Sequence, residues 1–252
     1  MGVRILVGGS GGLPFFVCDD NVITAGRWLA LPVVFGEPPG GPLVACGDAV
    51  LTVGNDPADV ERRLSSALLA CPGCGGRLAP WGHGRPRVLR RLGRFGWRLR
   101  PRRARCSGCG ATHILLPVSC LVRRADVVGV IGEALVCAAR GWGHRRIADR
   151  LARPATTVRG WLRRFDSRAG PLRSAFTVLL GDLDPDPRVP EPTGSEFADA
   201  VAAIVAAAAA AAGRWGRSVF TLSPWWVAAA VTAGRLLVPG TAVELINTSR
   251  PW

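Results

Sequence analysis

Two Cys-x-x-Cys-Gly knuckles separated by 31 residues, three short amphipathic helical patterns after them, and an alanine-rich C-terminal portion predict a mainly α fold with a small β zinc ribbon. The ribbon comes first, a three-helix helix-turn-helix follows, and a C-terminal helical segment closes the chain. The predicted divisions are an N-terminal extension of uncertain status (1–48), a short helical lead-in (49–70), the ribbon (71–121), a homeodomain-like helix-turn-helix (122–176), a Pro-rich linker (177–195) and the C-terminal helical segment (196–252). A chain of 252 residues that is 48% hydrophobic can bury a core in one or two domains.

The first 48 residues alternate short apolar runs with Gly and Pro clusters. The run VGGSGGLP has neither the GxGxxG nor the Walker spacing, and Pro14 argues against a helix opening there, so nucleotide binding is not read from it. Cys18 and Cys46 have no partner spacing and read as buried or incidental thiols. Glycines break MGVRILVGGSGG before a secretory apolar stretch can form, which leads to the expectation of a cytoplasmic, nucleoid-associated protein. Met1 is the single methionine, and in a GC-rich coding sequence a GUG start near Val50 or Val53 is a hypothesis that an intact-mass measurement would decide. From Asp56, DPADVERRLSSALLA reads as an amphipathic helix leading into the first knuckle.

In a reducing compartment, close cysteine pairs are metal ligands before they are disulfides. Cys71-Pro-Gly-Cys74-Gly and Cys106-Ser-Gly-Cys109-Gly supply four thiolates, which fill a tetrahedral shell, so one structural Zn2+ and no catalytic position is expected. The gap between the pairs has room for a hairpin. His83, His113 and Cys120 are left with packing or surface roles, Cys137 with a buried one inside a helix, and Trp81 and Trp97 with packing.

Net charge is +14, and every basic residue is an arginine. Twenty-two of the 32 arginines lie between Cys71 and Arg168 against four acids, Asp126, Glu133, Asp149 and Asp166, while the flanks are mildly acidic. Such a concentration points to a polyanionic partner, with duplex DNA first among the candidates. WRLRPRRAR (97–105) would project Arg98, Arg100, Arg102, Arg103 and Arg105 from a ribbon strand toward phosphates.

Asp126 reads as the cap of a helix whose stripe is Val127, Val130, Ile131, Ala134, Leu135 and Ala138, with Gly141 ending it. RRIADRL gives a second helix, Ala152-Arg153-Pro154 a turn, and TTVRGWLRRF a third helix with Val158, Trp161, Leu162 and Phe165 inward. In a helix-turn-helix this last helix enters the major groove. Its outer face carries Thr156, Arg159, Gly160 and Arg163, the expected base readers, with Gly160 letting the backbone approach DNA. Arg145, Arg146, Arg150, Arg153 and Arg164 are the expected phosphate contacts.

The linker GDLDPDPRVPEPTG is the clearest boundary. Beyond it, Thr193 and Glu196 have capping-box spacing for a helix ended by Gly213, and Ser223-Pro224 opens another that ends before Pro239. Asp199 in the first and Pro224 and Arg235 in the second argue against membrane spans, which need roughly 20 predominantly apolar residues. These helices either pair two copies into a homodimer or cover the helix-turn-helix.

CPGCGGRLAPWG, RPRRARCSGCGATHILLP, GHRRIADRLARPATTVRGWLRRF and the terminal INTSRPW resemble a group of actinobacterial zinc-ribbon and helix-turn-helix proteins that define a domain of unknown function. The first three blocks are also similar to the DNA-binding front end of insertion-sequence transposases. The resemblance covers about residues 50 to 252 and implies DNA binding with a mobile-element origin.

Three function classes follow. The expected one is a non-enzymatic, sequence-specific DNA-binding protein, a transcriptional regulator or mobile-element accessory factor. A transposase or recombinase derivative would need paired carboxylates on a rigid scaffold, and Asp182, Asp184, Asp186 and Glu191 sit among prolines. An RNA- or polymerase-associated zinc ribbon would have little use for a helix-turn-helix.

Overall fold

The computed structural model describes residues 49–93, 96–215 and 223–239. Cys18, Cys46, the VGGSGGLP run and the terminal INTSRPW lie outside the described residues. Those described form a helix-rich fold with a small mixed sheet.

The lead-in is more than helical. Strand β1 (Ala49–Val53) precedes helix α1 (Pro57–Ser65) and pairs in parallel with β6 (Thr112–Pro117), placing Val50 opposite Ile114. Its apolar AVLTV run is the pattern a strand covered on both faces takes, and Leu51, Thr52 and Val53 are all buried. A chain beginning at Val53 would lack this strand. Helix α1 starts as read: the Asp56 carboxylate accepts from the Ala58 N–H at 2.9 Å, Pro57 takes the first helical position, and Val60 and Leu64 face the sheet.

The gap between the knuckles folds into four strands. These are β2 (Leu78–His83), β3 (Arg87–Arg90), β4 (Gly96–Leu99) and β5 (Arg102–Cys106). Strands run in the order β1-β6-β5-β2, with β3 and β4 as a separate antiparallel hairpin. WRLRPRRAR is therefore not one strand. Pro101 is buried and has no N–H for a ladder, so the chain leaves β4 at Leu99 and enters β5 in the other sheet at Arg102.

The helical part contains α2 (Val128–Ala139), α3 (His144–Leu151), α4 (Ala155–Asp166), α5 (Ala169–Leu183), α6 (Glu196–Trp215) and α7 (Pro224–Val231). The three-residue turn falls where expected, with Ala152 left-handed at φ 51° and Pro154 immediately before α4. Val158, Trp161 and Phe165 are buried and Leu162 is half-buried.

Several boundaries differ from expectation. Helix α5 carries the helical region seven residues past Phe176 into the expected linker, because Leu179, Leu180 and Leu183 bury against α6. Helix α6 runs past Gly213 to Trp215; it opens with Ser195 accepting from the Ala198 N–H, while Asp199 reaches back to the N–H and hydroxyl of Thr193. Those bonds hold the Asp199 carboxyl below its usual range, helped by Arg173. Glu196 is not the capping partner. Helix α7 begins at Ser223-Pro224 and ends before Pro239, at Val231, as read.

Among the described residues, Glu196–Arg214 is the one stretch long and apolar enough to cross a membrane, and it is a core helix. Ala200, Val201, Ile204, Ala207 and Ala211 are fully buried against its neighbours, and α7 lies on α2, where a side chain at Gly132 would collide with the Trp225 ring. Helix α6 thus covers α2, α4 and α5, and α7 covers α2. The buried Arg168 adds to this by donating to the Arg235 and Leu236 carbonyls beyond α7.

Candidate metal centre and candidate nucleic-acid interface

Each knuckle is a tight loop closed by its own backbone. The Cys71 N–H donates to the Gly76 carbonyl at 2.7 Å and the Cys106 N–H to that of Ala111 at 2.8 Å. Gly75 and Gly110, the residues after the second cysteine of each pair, have φ of +70° and +72°, which glycine adopts without strain. Gly76 is needed for space: a Cβ there would lie 2.8 Å from Cys106 Sγ.

Folding of β2 against β5 brings the two loops together. The four Sγ atoms lie within 4.8 Å of one another, with Cys71 and Cys109 at 3.8 Å and Cys74 and Cys106 at 3.4 Å. A tetrahedron with metal–sulfur bonds of ~2.3 Å has edges of about 3.8 Å, so the cluster can hold one thiophilic ion. Amide N–H groups point at sulfur in both loops, from Gly76 to Cys74 and from Gly108 and Cys109 to Cys106. Burial pushes the Cys71 thiol up to about 12. At Cys106 burial also raises the thiol, but the Cys109 and Gly108 amides and the neighbouring Cys74 outweigh it and bring it down to about 7.

His113 is more than a packing residue. It is fully buried on β6, and its Nε2 lies 3.3 Å from Cys71 Sγ, beside the metal site and outside its four-thiol shell. No spacing rule exposes this contact, because β6 brings it to the knuckle only once it pairs with β5. Cys120 and Cys137 are buried as read, and burial pushes both thiols up. His83 is exposed at the end of β2.

The expected base readers keep their positions. Thr156, Arg159 and Arg163 are exposed on the outer face of α4, and no carboxylate pairs with either arginine among the described residues. Gly160 is different: it is half-buried because the Arg164 guanidinium lies over it and donates to its carbonyl at 2.9 Å. The glycine makes room for Arg164, which removes Arg164 from the phosphate set and supplies a reason for Gly160 within the fold.

The phosphate set divides in two. Arg98, Arg100, Arg105, Arg145 and Arg146 are exposed, Arg105 lying over the half-open Trp81 ring and Arg146 over Trp142. The others are paired within the fold, Arg150 while still exposed. Arg102 pairs with Glu61 at 2.6 Å and donates to Gly82, Arg103 donates to Thr112, and Arg150 pairs with Glu133 at 3.1 Å.

Arg153 is the clearest correction. Its side chain is 6% exposed and binds Asp126 at 2.6 Å, while also donating to the carbonyls of Arg91, Leu151 and Ala152. Asp126, 2% exposed, does not cap α2, which starts from Val127 without a side-chain cap. Its second partner is Arg90 of the β3-β4 hairpin, in a two-bond fork at 3.1 and 2.6 Å. One buried carboxylate thus fastens the hairpin to the turn before α4.

The acidic cluster weighed against a nuclease lies at the end of α5 and in the segment after it, where Asp182, Asp186 and Glu191 are exposed and Asp184 accepts from the Asp186 N–H. Among the described residues, the group of side chains that could hold a metal ion is the cysteine cluster. No family model, curated protein or solved structure matches the chain.

Proposed function

We propose that this chain is a duplex-DNA-binding protein in which α2, α3 and α4 act as a helix-turn-helix and a zinc ribbon grips the backbone alongside. The observation that carries the reading is the outer face of α4: Thr156, Arg159 and Arg163 stand exposed in a row one helical turn apart, with no acidic partner among the described residues. Neighbouring arginines at 150, 153 and 164 are each committed to a contact within the fold, so the two left open are the ones a major-groove helix would present to guanine edges.

Zinc is the ion four thiolates in a closed shell suit best, and its part is to hold the two knuckles together as a rigid base. The exposed Arg98, Arg100, Arg105, Arg145 and Arg146 then supply phosphate contacts without sequence information. The resemblance to zinc-ribbon and helix-turn-helix proteins with a mobile-element origin agrees with this division of labour, and a regulator or accessory factor is the role proposed.

The test is selection from a pool of duplex genomic fragments across a salt series, with native protein and an Arg159→Ala, Arg163→Ala double variant. Native protein should enrich a motif, and the variant should keep salt-sensitive affinity while losing that motif. If native protein shows no salt-dependent binding to duplex, the reading fails, and single-stranded RNA or a polymerase surface takes its place.

A further inference from the structure

The β3-β4 hairpin does not belong to the four-stranded sheet. Its inner face, Leu89 and Leu99 with Trp97 against them, packs on Leu116 and Cys120, while its outer face turns Val88 and Arg98 to solvent. The turn side carries Arg91, which lies 5.4 Å over the Trp97 ring, and Leu92, 60% exposed. A leucine this open among arginines is not explained by packing.

What places this hairpin is the buried Asp126. Through Arg90 and Arg153 it ties the strand end at Arg90 to the residue just before Pro154 and α4, and Arg153 also donates to the Arg91 carbonyl at 2.6 Å. Arg91, where the chain leaves β3, is therefore held beside the residue that leads through Pro154 into α4, the end from which a major-groove helix reads.

We infer that the β3-β4 hairpin, through Arg91, Leu92 and Arg98, is a second DNA-contacting element that occupies the minor groove next to the major-groove segment taken by α4. The inference rests on the duplex-binding reading and adds which part of the Arg-rich region touches DNA and where. Arginine paired with an exposed apolar side chain is what minor-groove contacts use, the cation for the negative potential of the groove and the apolar group against the base edges or sugars. Of the arginines of β5, Arg102 and Arg103 are held by Glu61 and Thr112, and the exposed Arg105 belongs to the knuckle, lying over Trp81 and donating to the Gly110 carbonyl at 3.3 Å.

The experiment is hydroxyl-radical footprinting with a salt series on the selected motif, comparing native holoprotein with an Arg91→Ala, Arg98→Ala double variant and with Arg98→Ala alone. Both substitutions truncate exposed side chains and leave in place the Arg91 carbonyl that Arg153 binds, and unchanged helical circular dichroism and zinc content verify the fold. Native protein should protect the motif and a minor-groove patch on one flank. The double variant should lose the flanking patch, keep the motif and lower the salt slope by about 2, with Arg98→Ala alone lowering it by about 1. A native footprint confined to the motif, or a patch unaltered in the double variant, overturns the hairpin contact and leaves α4 as the reader. Absence of salt-dependent duplex binding by native protein overturns both.

Discussion

His113 illustrates what a single side chain adds to a four-thiol site. It is fully buried with Nε2 3.3 Å from Cys71 Sγ, and burial has pushed that thiol up to about 12. In the tautomer that carries its proton on Nε2, the imidazole donates to the sulfur and offsets the thiolate charge a metal demands there. Partners of this kind typically change metal affinity by about 10- to 100-fold when removed, so His113→Phe should weaken zinc by that factor in a chelator competition while one ion per chain still binds. A variant of unchanged affinity would reduce His113 to filler. Proton competition gives a second expectation. Loading Cys71 releases a proton across the neutral range, and below about pH 7 Cys106 releases one as well. Apparent zinc affinity should therefore rise with pH and fall more steeply once pH drops below 7, as competition titrations at several pH values would show. The four cysteines were legible because their spacing is local. His113 was not, because only the β5-β6 pairing delivers it.

At the scale of elements, Asp126 is the residue whose role the sequence misleads about. A carboxylate one residue before an apolar helical run reads as a cap, yet it is drawn into a cluster with Arg90 and Arg153 from 36 residues before it and 27 after. Removing one partner of a buried pair costs roughly 3–5 kcal/mol because the other charge stays behind unpaired. Arg153 keeps three carbonyl acceptors, so Asp126→Ala should fall near the lower bound, about 3 kcal/mol, measured as a drop in urea midpoint. A loss below about 1 kcal/mol would mean that the hairpin holds its place without the cluster. The same long-range contact holds Arg153, which sequence position alone places among the phosphate contacts, inside the fold. Helices α3 and α4 were legible from periodicity, since Ile147, Leu151, Val158, Trp161 and Phe165 recur on one face and all are buried. Strand β1 was not, because AVLTV is too short and too uniformly apolar to show a period, and its parallel partner lies some sixty residues on.

For the whole molecule, the two kinds of core predict two kinds of stability. Leu51, Val53, Val60, Leu64, Leu78, Ala104 and Leu115 form a small cluster that closes on Cys71 and Cys106, whereas the helical core runs without a break from Leu121 through α2 to α7. Structural zinc contributes about 10 kcal/mol or more in small metal domains, and the sheet cluster has too little apolar area to replace it. The helical core needs no ion. The two cores are joined where a third apolar cluster packs Leu116 of β6 and Val50 of β1 with Val122 and Val127, where Thr52 donates to the Ala230 carbonyl at 3.4 Å and the Val122 N–H to that of Gly234 at 2.9 Å, and where Asp126 clamps the hairpin. Chelation should therefore melt β1, β2, β5 and β6 while α2 to α7 persist. Hydrogen exchange should show amides at residues 49–53, 78–83 and 102–117 losing protection on metal removal, with those at 128–139 and 196–211 keeping theirs. Loss of protection across both sets would make zinc the keystone of a single cooperative unit. Retention across both would deny the ion any structural role, and the four thiols would have to be explained another way.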